Sequence, residues 1–424
     1  MFPKSLLSVL LSAALTAGPL AAVAALTPDP ENGGISLPAG FGAVVVADGI
    51  NGVRGLASAP NGDVYGRLSG GGIVALRDTD GDGKADVTER FATDLPGGSG
   101  IAVHGGYVYF STANEVYRVA RAAGELTPTG KPELVATDLG DRRQHNAKMF
   151  TFDSDGMLYV EVGSPSNSLG EPDRARGAKG VSDARVNEFL SEFGGVWKFD
   201  PSKAPQAKAD AEHWSTGHRH MLGLAWHPVS GALFGAQNGR DVLNVVDPSI
   251  FNQAYNAVRV SEEFHELKKG SNLGWPYTFY DPIDNVRLLS PEYGGDGQKT
   301  PEAGRFQDPI IGFPAHWAPM QMAYYGGDQF PETYRGGMFQ AFHGSWNRQG
   351  DQKGYNVVFI PFNADGHPTG EWSVFAEGFM GKGQIASPND AKYRPMGVAV
   401  GPDGSLYVGA DQGGRVWRIF YSGE

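Results

Sequence analysis

A two-strand unit recurs along this chain, and it limits the folds that the chain can adopt. In each copy an apolar strand leads through a turn such as PNG or PDG into a second apolar strand, and a further strand usually follows. The copies occupy residues 55–66, 100–111, 149–163, 223–239, 320–345 and 397–414. One unit cannot bury both of its faces alone, whereas six units packed around an axis can. The repeat therefore predicts an all-β fold, a six-bladed β-propeller.

Composition and the flanking strands agree with a closed ring of blades. The 61 glycines and 28 prolines fit many short strands joined by tight turns and fit long helices poorly. The strand at 40–49 has no partner in its own unit, so we expect it to pair with VWRIFY (416–421) and close the ring. Two β-sandwiches are the alternative architecture, which the uniform unit disfavours. We expect segments 164–195 and 240–275 to be loops above the face where propellers place their sites.

The first 24 residues have the features of a secretory signal peptide. A single Lys precedes an apolar run, and the AVA sequence at 22–24 provides small residues for cleavage after Ala24. Residues 25–424 would then form one propeller domain. A membrane anchor is the alternative, but the Gly-Pro break at 18–19 argues against it, and no later segment has the length of a transmembrane helix. We therefore expect an exported protein of the bacterial periplasm.

Charge and cysteine content exclude several classes of partner. The formal net charge is −12 at pH 7, and an acidic surface disfavours nucleic acid and anionic membranes as partners. The chain has no cysteine, so it has neither a disulfide nor a haem attachment of the CxxCH type. A redox enzyme of this composition must pass its electrons to a separate acceptor.

Residues 78–89, DTDGDGKADVTE, have the spacing of an EF-hand calcium loop. The candidate ligands are the backbone carbonyl of Lys84 and the side chains of Asp78, Asp80, Asp82, Asp86 and Glu89. The flanking sequences are too short and too rich in glycine and proline for EF-hand helices, so we expect the loop to join two strands. This disfavours a calcium sensor and leaves a structural calcium site, with a solvated acidic turn as the simpler alternative.

Three further clusters place reactive groups at the starts of strands. His145 precedes a strand of the third unit, and an imidazole, which titrates near neutral pH, suits a general base. Arg219 holds the same position one unit later, where a guanidinium can bind a carboxylate or stabilise an oxyanion. Arg348, Lys392 and Arg394 are expected at the mouths of the last two blades, Arg348 just after the 320–345 unit and the other two just before the 397–414 unit. Several cations that face one funnel suit a small polyanionic ligand, although a lone His or Arg is more often structural.

Four stretches together resemble the soluble quinoprotein sugar dehydrogenases, and in particular their sorbosone and aldose dehydrogenase branch. They are TGHRHMLGLAWHP, GSNLGWPY, HGSWNRQGDQKGYNVVFIPF and RPMGVAVGPDGSLYVGADQGGRVWRI, within a resemblance that runs from about Leu37 to Tyr421. Members of that family are six-bladed propellers that hold pyrroloquinoline quinone (PQQ) and a calcium ion in the funnel. The resemblance therefore implies a PQQ- and calcium-dependent dehydrogenase that oxidises an aldose or a sugar aldehyde.

The resemblance also implies roles for individual residues. It places the general base at His145 and the arginine that contacts substrate and quinone at Arg219. Backbone carbonyls of the QNGRD loop, at Gly239 and Arg240, would hold a catalytic calcium that is separate from the structural one. The remaining quinone contacts that it implies are Arg348, Lys392, Arg394 and, where the family often has Asn, His220.

Ser164 stands where the glucose enzymes have an acidic residue, which shifts the expected substrate away from glucose.

Two other functions stay open at the level of sequence. A calcium-dependent sugar lactonase would share the propeller, but it needs acidic side chains in the funnel to bind its metal. A non-catalytic binding propeller would explain the blades and would leave His145 and Arg219 without a task.

Overall fold

The repeats fold into six antiparallel sheets that are arranged as the blades of a propeller. The structure is a computed structural model that describes residues 26–140, 144–348 and 350–423. The predicted signal peptide, residues 1–24, lies outside the described residues. Each blade has four strands, and short additional strands extend the second and third blades to five. The prediction of an all-β, six-bladed propeller is confirmed.

The strands follow the chain blade by blade. The first blade comes after β1 (Phe41–Ala47) and contains β2 (Val53–Ser58), β3 (Val64–Leu68), β4 (Ile73–Arg77) and β5 (Val87–Phe91). The second contains β6 (Ile101–His104), β7 (Tyr107–Ser111), β8 (Val116–Ala120) and β9 (Glu133–Thr137). The third contains β10 (Phe150–Phe152), β11 (Leu158–Val162), the hairpin of β12 (Gly170–Glu171) and β13 (Lys179–Gly180), β14 (Gly195–Phe199), β15 (Gln206–Ala207), which joins the second blade, and β16 (Glu212–Thr216).

The remaining blades follow in the same way. The fourth contains β17 (Met221–His227), β18 (Ala232–Gln237), β19 (Glu262–Glu266), β20 (Ser271–Asn272), which joins the third blade, the hairpin of β21 (Thr278–Asp281) and β22 (Val286–Leu289), and β23 (Ile311–Phe313). The fifth contains β24 (Pro319–Tyr324), β25 (Met338–His343), β26 (Tyr355–Ile360) and β27 (Ser373–Ala376). The sixth contains β28 (Arg394–Val400), β29 (Leu406–Gln412), β30 (Val416–Tyr421) and β1.

Helices are short and lie in the connections. The α-helices are α1 (Asp183–Glu192), α2 (Leu243–Val246) and α3 (Gln253–Val258), all within the two long inserts. Short 3₁₀ helices occur at Pro30–Gly33, Pro201–Lys203, Lys208–Asp210, Pro291–Tyr293, Glu332–Tyr334 and Pro388–Asp390. Among the described residues, none of these helices has the length and apolar character needed to cross a membrane.

The ring is closed by the first strand, as predicted. Strand β1 pairs antiparallel with β30, so that Phe41 lies opposite Tyr421. This pairing removes two free sheet edges and joins the ends of the chain in one blade. Apolar side chains fill the space between blades; between the fourth and fifth, for example, Phe234 and Phe264 pack in one buried cluster with Phe342.

The direction of the strands decides which residues can meet at the axis. The first strands of the blades, such as β2, β17, β24 and β28, are packed against one another around the centre. They all run in the same direction, so their starts lie at one end of the ring. Because the second strand of each blade is antiparallel to the first, its end lies there too. Side chains from the starts of first strands and the ends of second strands therefore surround one opening, which we call the funnel.

Candidate active site

A cavity of about 190 Å³ lies in the funnel, on the side of the third, fourth and fifth blades. It brings together the predicted base His145, the predicted Arg219 and His220, and the loop residue Gly239. The other residues that line it are Arg174, Asn238, Asp241, Glu262, His316, Ala318 and Trp346. Arg174 belongs to the first long insert and Asp241 to the second, so both inserts contribute to the cavity as expected.

The hydrogen bonds of His145 fix its proton on one ring nitrogen. Its backbone has φ of 54°, a left-handed conformation that directs the ring into the cavity. Nδ1 lies 2.9 Å from the carbonyl oxygen of Ser164 and 3.1 Å from its hydroxyl. A carbonyl oxygen only accepts hydrogen bonds, so Nδ1 carries the proton and Nε2 keeps its lone pair. Burial, followed by the charge of Arg219, lowers the pKa of His145 well below its ordinary value, so the ring is a neutral acceptor.

Asp241 holds two guanidinium groups beside this base. Its Oδ2 accepts from Arg219 Nη2 at 2.5 Å and from Arg174 Nη1 at 2.8 Å, and its Oδ1 accepts from Asn347 at 3.2 Å. Burial opposes the ionisation of Asp241, but the charges of Arg219 and Arg174 outweigh it and lower its pKa to about 2. Two cations share one carboxylate, so this part of the cavity keeps an excess of positive charge.

His220 stacks on His145 and is held from behind by a carboxyl group. The two ring centroids are 4.8 Å apart. His220 Nδ1 lies 3.1 Å from Glu161 Oε1, and the His220 ring also lines the cavity. Burial, followed by the charge of Arg219, lowers the pKa of His220 well below its ordinary value. The cavity therefore presents two neutral imidazoles next to a guanidinium.

The QNGRD loop passes over a second buried carboxyl group. Glu262 accepts hydrogen bonds from the backbone N–H of Gly239 at 2.7 Å and of Ala318 at 3.0 Å. Burial raises the pKa of Glu262 to about 7. The side chain of Arg240 turns away from the cavity and binds Glu292 with both nitrogens, at 2.6 and 2.8 Å. The side chain of Arg240 is thus engaged by Glu292, and the backbone carbonyls of Gly239 and Arg240 remain the predicted metal ligands.

A second charged group surrounds the funnel on the side of the first, fifth and sixth blades. Asp411, at the end of β29, accepts from His343 Nε2 at 2.7 Å and from Arg54 at 3.0 Å. Arg394 is half-buried beside them and donates to the carbonyl oxygens of His343 and Gly344, both at 3.0 Å. Of the three cations predicted to bind a polyanion, Arg394 therefore lies at the funnel, next to Arg54.

The other two predicted cations line different cavities. Lys392 lies in a cavity of about 790 Å³ between residues 31–37 and 378–382. Arg348 lines an apolar cavity of about 480 Å³ with Trp317 and Trp372, and donates to the carbonyl oxygens of Ala257 and Asp351. The structure does not bring Lys392 or Arg348 into contact with the His145 cavity.

The first-blade loop joins β4 to β5, two strands as expected, and gathers part of the predicted ligand set. One carboxylate oxygen from each of Asp78, Asp80 and Asp86 lies within 4.8 Å of the others. Asp82 caps the turn by accepting from the backbone of Lys84. Glu89 lies within β5 and accepts from Thr127 at 2.8 Å, so it is not brought to the loop. The loop therefore offers three carboxylates, without the bidentate Glu of an EF-hand.

Several functional candidates were missing from the sequence prediction. Asp241 and Trp346 lie inside the motifs QNGRD and HGSWNR, so their place in these motifs could have indicated that they belong to the site. Arg174 lies in an insert without any motif, and Arg54 and Asp411 are 357 residues apart, so no local pattern could connect them.

Comparison with known proteins gives a consistent picture. The sequence profile of the TrAA12-like family matches residues 35–422. The pyrroloquinoline quinone-dependent pyranose dehydrogenase of Coprinopsis cinerea is 30% identical over 171 residues, which are 34% of this chain and 22% of that protein.

Solved structures share the propeller. The holo form of the PQQ domain of the Coprinopsis cinerea pyranose dehydrogenase superposes with a TM-score of 0.70 at 19% identity, and covers 91% of this chain and 97% of that domain. The calcium structure of the Trichoderma reesei AA12 enzyme gives a TM-score of 0.71 at 19% identity, over 92% and 97% of the two chains. At this level of identity the superposition establishes the fold.

Proposed function

Since the chain belongs to the TrAA12-like family, we propose that it is a PQQ-dependent oxidoreductase that oxidises an aldose or a sugar aldehyde. The observation that carries this proposal is the His145 ring. Its proton is fixed on Nδ1 by Ser164, and its free Nε2 faces the cavity next to Arg219. A neutral base beside a guanidinium is the arrangement that removal of a proton from a sugar hydroxyl requires.

The charges around the cavity suit a cofactor that carries three carboxylates. Arg219 and Arg174 share one counter-ion on one side of the funnel; on the other side Arg54 binds Asp411, and Arg394 lies close enough for its charge to act on that carboxylate. The Nε atom of Arg219 is buried and has no hydrogen-bond partner among the described residues. These guanidiniums would hold the carboxylates of PQQ, because an unpaired buried donor and an excess of positive charge both favour an anionic ligand.

The two carboxyl groups of the cavity argue against the lactonase alternative. Asp241 is fully engaged by Arg219, Arg174 and Asn347, and both oxygens of Glu262 accept backbone N–H groups. Among the described residues, neither carboxyl group of the cavity is free of hydrogen bonds, which disfavours a hydrolytic metal that depends on free carboxylates. A calcium ion next to PQQ would instead take the backbone carbonyls of Gly239 and Arg240, since calcium binds carbonyl as well as carboxylate oxygens.

The residues of the chain divide the reaction between them. His145 Nε2 takes the proton of the sugar hydroxyl, and the Ser164 carbonyl stabilises the resulting imidazolium at Nδ1. Arg219 stabilises negative charge that develops on oxygen, while Asp241 keeps its guanidinium in place. When bound, PQQ would supply the two-electron acceptor for the hydride of the sugar carbon. The electrons then leave to a separate acceptor, because the chain has no cysteine for a haem attachment of the CxxCH type.

The exposed ring of Trp346 indicates that the substrate is a sugar. It is 55% exposed at the rim of the cavity, and the guanidinium of Arg174 lies 6.0 Å from its ring centroid. An exposed aromatic face above a polar cavity suits the apolar face of a sugar ring. The buried hydroxyl of Ser164, where glucose enzymes have an acid, favours a sorbosone-like sugar aldehyde over glucose.

We further propose a structural calcium ion in the first-blade loop, held by Asp78, Asp80 and Asp86. Gly83 has φ of 91° there and donates to Asp78, which gives the loop the sharp turn of a calcium-binding sequence. This site would fix a connection on the outside of the ring and take no part in the reaction.

The decisive experiment is reconstitution with PQQ and calcium, followed by dye reduction with aldoses, sorbosone and simple alcohols. We expect substrate-dependent reduction in the wild type and a loss of about 10²- to 10⁴-fold in His145→Ala. His367→Ala, which removes an exposed histidine, is the matched control and should keep full activity. Hydrolysis of a lactone without any dye reduction would favour the lactonase instead.

A further inference from the structure

Glu161 is a buried carboxyl group to which the mechanism above gives no task. It lies near the end of β11 and is completely inaccessible to solvent. Its Oε1 lies 3.1 Å from the backbone nitrogen of Met221 and 3.1 Å from Nδ1 of His220. Its Oε2 is buried and has no hydrogen-bond partner among the described residues.

One proton lies in the contact between Glu161 Oε1 and His220 Nδ1, and either residue can carry it. The Met221 N–H needs an acceptor, so Oε1 accepts there in every case. Either Glu161 is a carboxylate that also accepts from His220 Nδ1–H, or it is a carboxylic acid whose O–H donates to Nδ1. The first arrangement leaves a charge in a buried site with one oxygen bare, which is costly.

The surroundings favour the neutral acid. Burial raises the pKa of Glu161 to about 8, although the charge of Lys148 acts in the opposite direction. Lys148 Nζ donates to the carbonyl oxygen of Asn146 at 3.0 Å, a neutral acceptor that leaves the ammonium charge in place, but the effect of burial on Glu161 is larger than the effect of this charge. Around His220, burial and the charges of Arg219, Lys148 and Arg54 all disfavour the imidazolium, which leaves a neutral pair.

We propose that Glu161 is a positioning residue: its carboxyl proton is donated to His220 Nδ1, so that His220 presents Nε2–H to the cavity. Next to it, His145 presents the bare Nε2 of the opposite tautomer. The two stacked rings then form a matched pair, one acceptor for the substrate proton and one donor for an oxygen beside it. That this oxygen belongs to PQQ rests on the proposed function, whereas the tautomer does not.

The substitution Glu161→Gln reverses the arrangement without changing its shape. The amide oxygen must stay opposite the Met221 N–H, because the NH₂ group in that place would set donor against donor. The amide oxygen has no proton to give, so His220 must keep its own proton on Nδ1 and turn a lone pair toward the cavity. We therefore predict that this substitution moves the proton of His220 from Nε2 to Nδ1.

The test is ¹⁵N NMR of the cofactor-free protein labelled at histidine, with His220 assigned by its absence in His220→Asn. We expect a protonated Nε2 and a bare Nδ1 for His220 in the wild type, and the opposite in Glu161→Gln. Glu263→Gln, which alters an equally buried Glu–His contact of 3.0 Å, should leave the His220 signals unchanged. A wild-type His220 with its proton on Nδ1 overturns the proposal. The wild-type spectrum alone gives this result, so it does not depend on whether Glu161→Gln folds.

A second measurement separates this inference from the proposed function. PQQ binding, followed by tryptophan fluorescence in the presence of calcium, should weaken by about tenfold in Glu161→Gln, because a donor to the ligand becomes an acceptor. Unchanged affinity with a switched tautomer would remove His220 from the cofactor site. No PQQ binding by the wild type would refute the proposed function and leave the tautomer result standing.

Discussion

The carboxylate of Asp411 ties three blades together at the funnel, and its removal should cost a defined amount of stability. It is 14% exposed and binds Arg54 of the first blade and His343 of the fifth. Burial works against its ionisation, but the hydrogen bond from His343 and the charge of Arg54 contribute to a larger opposite effect, which lowers its pKa from 3.8 to about 2. One pKa unit corresponds to about 1.4 kcal/mol, so the fall in pKa from 3.8 to about 2 means that ionised Asp411 contributes about 2.5 kcal/mol to the free energy of unfolding.

The substitution Asp411→Asn should therefore lower the free energy of unfolding by about 2 to 3 kcal/mol at pH 7, since the amide also turns one N–H toward a donor. For a chain of about 400 residues this corresponds to a decrease of about 2 to 4 °C in Tm. The pKa of Asp411 is depressed, so its contribution is complete above pH 3.8 and is lost as the pH falls toward 2. The difference between variant and wild type should be the same at pH 7 and pH 5 and smaller at pH 3.

Differential scanning calorimetry at these three pH values measures the effect. The matched control is Asp284→Asn, because Asp284 is 58% exposed and also pairs with an arginine, Arg259. An exposed pair contributes at most about 1 kcal/mol, so the control should change Tm by about 1 °C or less. Equal Tm values for wild type and Asp411→Asn at pH 7, or a difference that grows below pH 4, would refute the reasoning.

Three further results are expected. Trp346→Ala should raise KM for the sugar about tenfold with a smaller change in kcat, because it removes a binding surface outside the reacting atoms; an effect on kcat alone would contradict this. Burial and Arg219 lower the pKa of His145, so kcat/KM should stay level as the pH falls through 6.5, and an acid limb at that pH would exclude His145 as the base. Saturating calcium should raise the Tm of the wild type by about 2 to 4 °C, an effect that is smaller in Asp80→Asn, which loses one of the two proposed calcium sites, and is kept in full in the exposed control Asp296→Asn.

The sequence allowed the fold and part of the site to be predicted because both depend on a repeating register. The start of the first strand in each unit is visible in the apolar pattern, and this position led to the prediction that His145 and Arg219 face the funnel, where both line one cavity. The same reasoning could not show that Lys392 and Arg394 face different cavities. It also could not show that Glu89 lies within a strand, away from the loop before it. Lys392 precedes β28 and faces an outer cavity, whereas Arg394 begins that strand and turns toward Asp411.

What escaped prediction are contacts created by the closure of the ring and by the inserts. Arg54 meets Asp411 only because the first and last blades become neighbours. Arg174 reaches Asp241 from an insert without any periodic pattern, and the side-chain amide of Asn167 in the same insert bonds to the backbone N–H and carbonyl oxygen of Asp241. Such pairs depend on three-dimensional position, and neither spacing nor composition encodes them.

The central claim is that the funnel holds PQQ, and an equilibrium titration of the purified protein with PQQ and calcium tests it most directly. The account predicts one PQQ per chain, binding that requires calcium, and a weaker affinity in Arg219→Ala at unchanged secondary structure. A folded protein that binds no PQQ in the presence of calcium would contradict it.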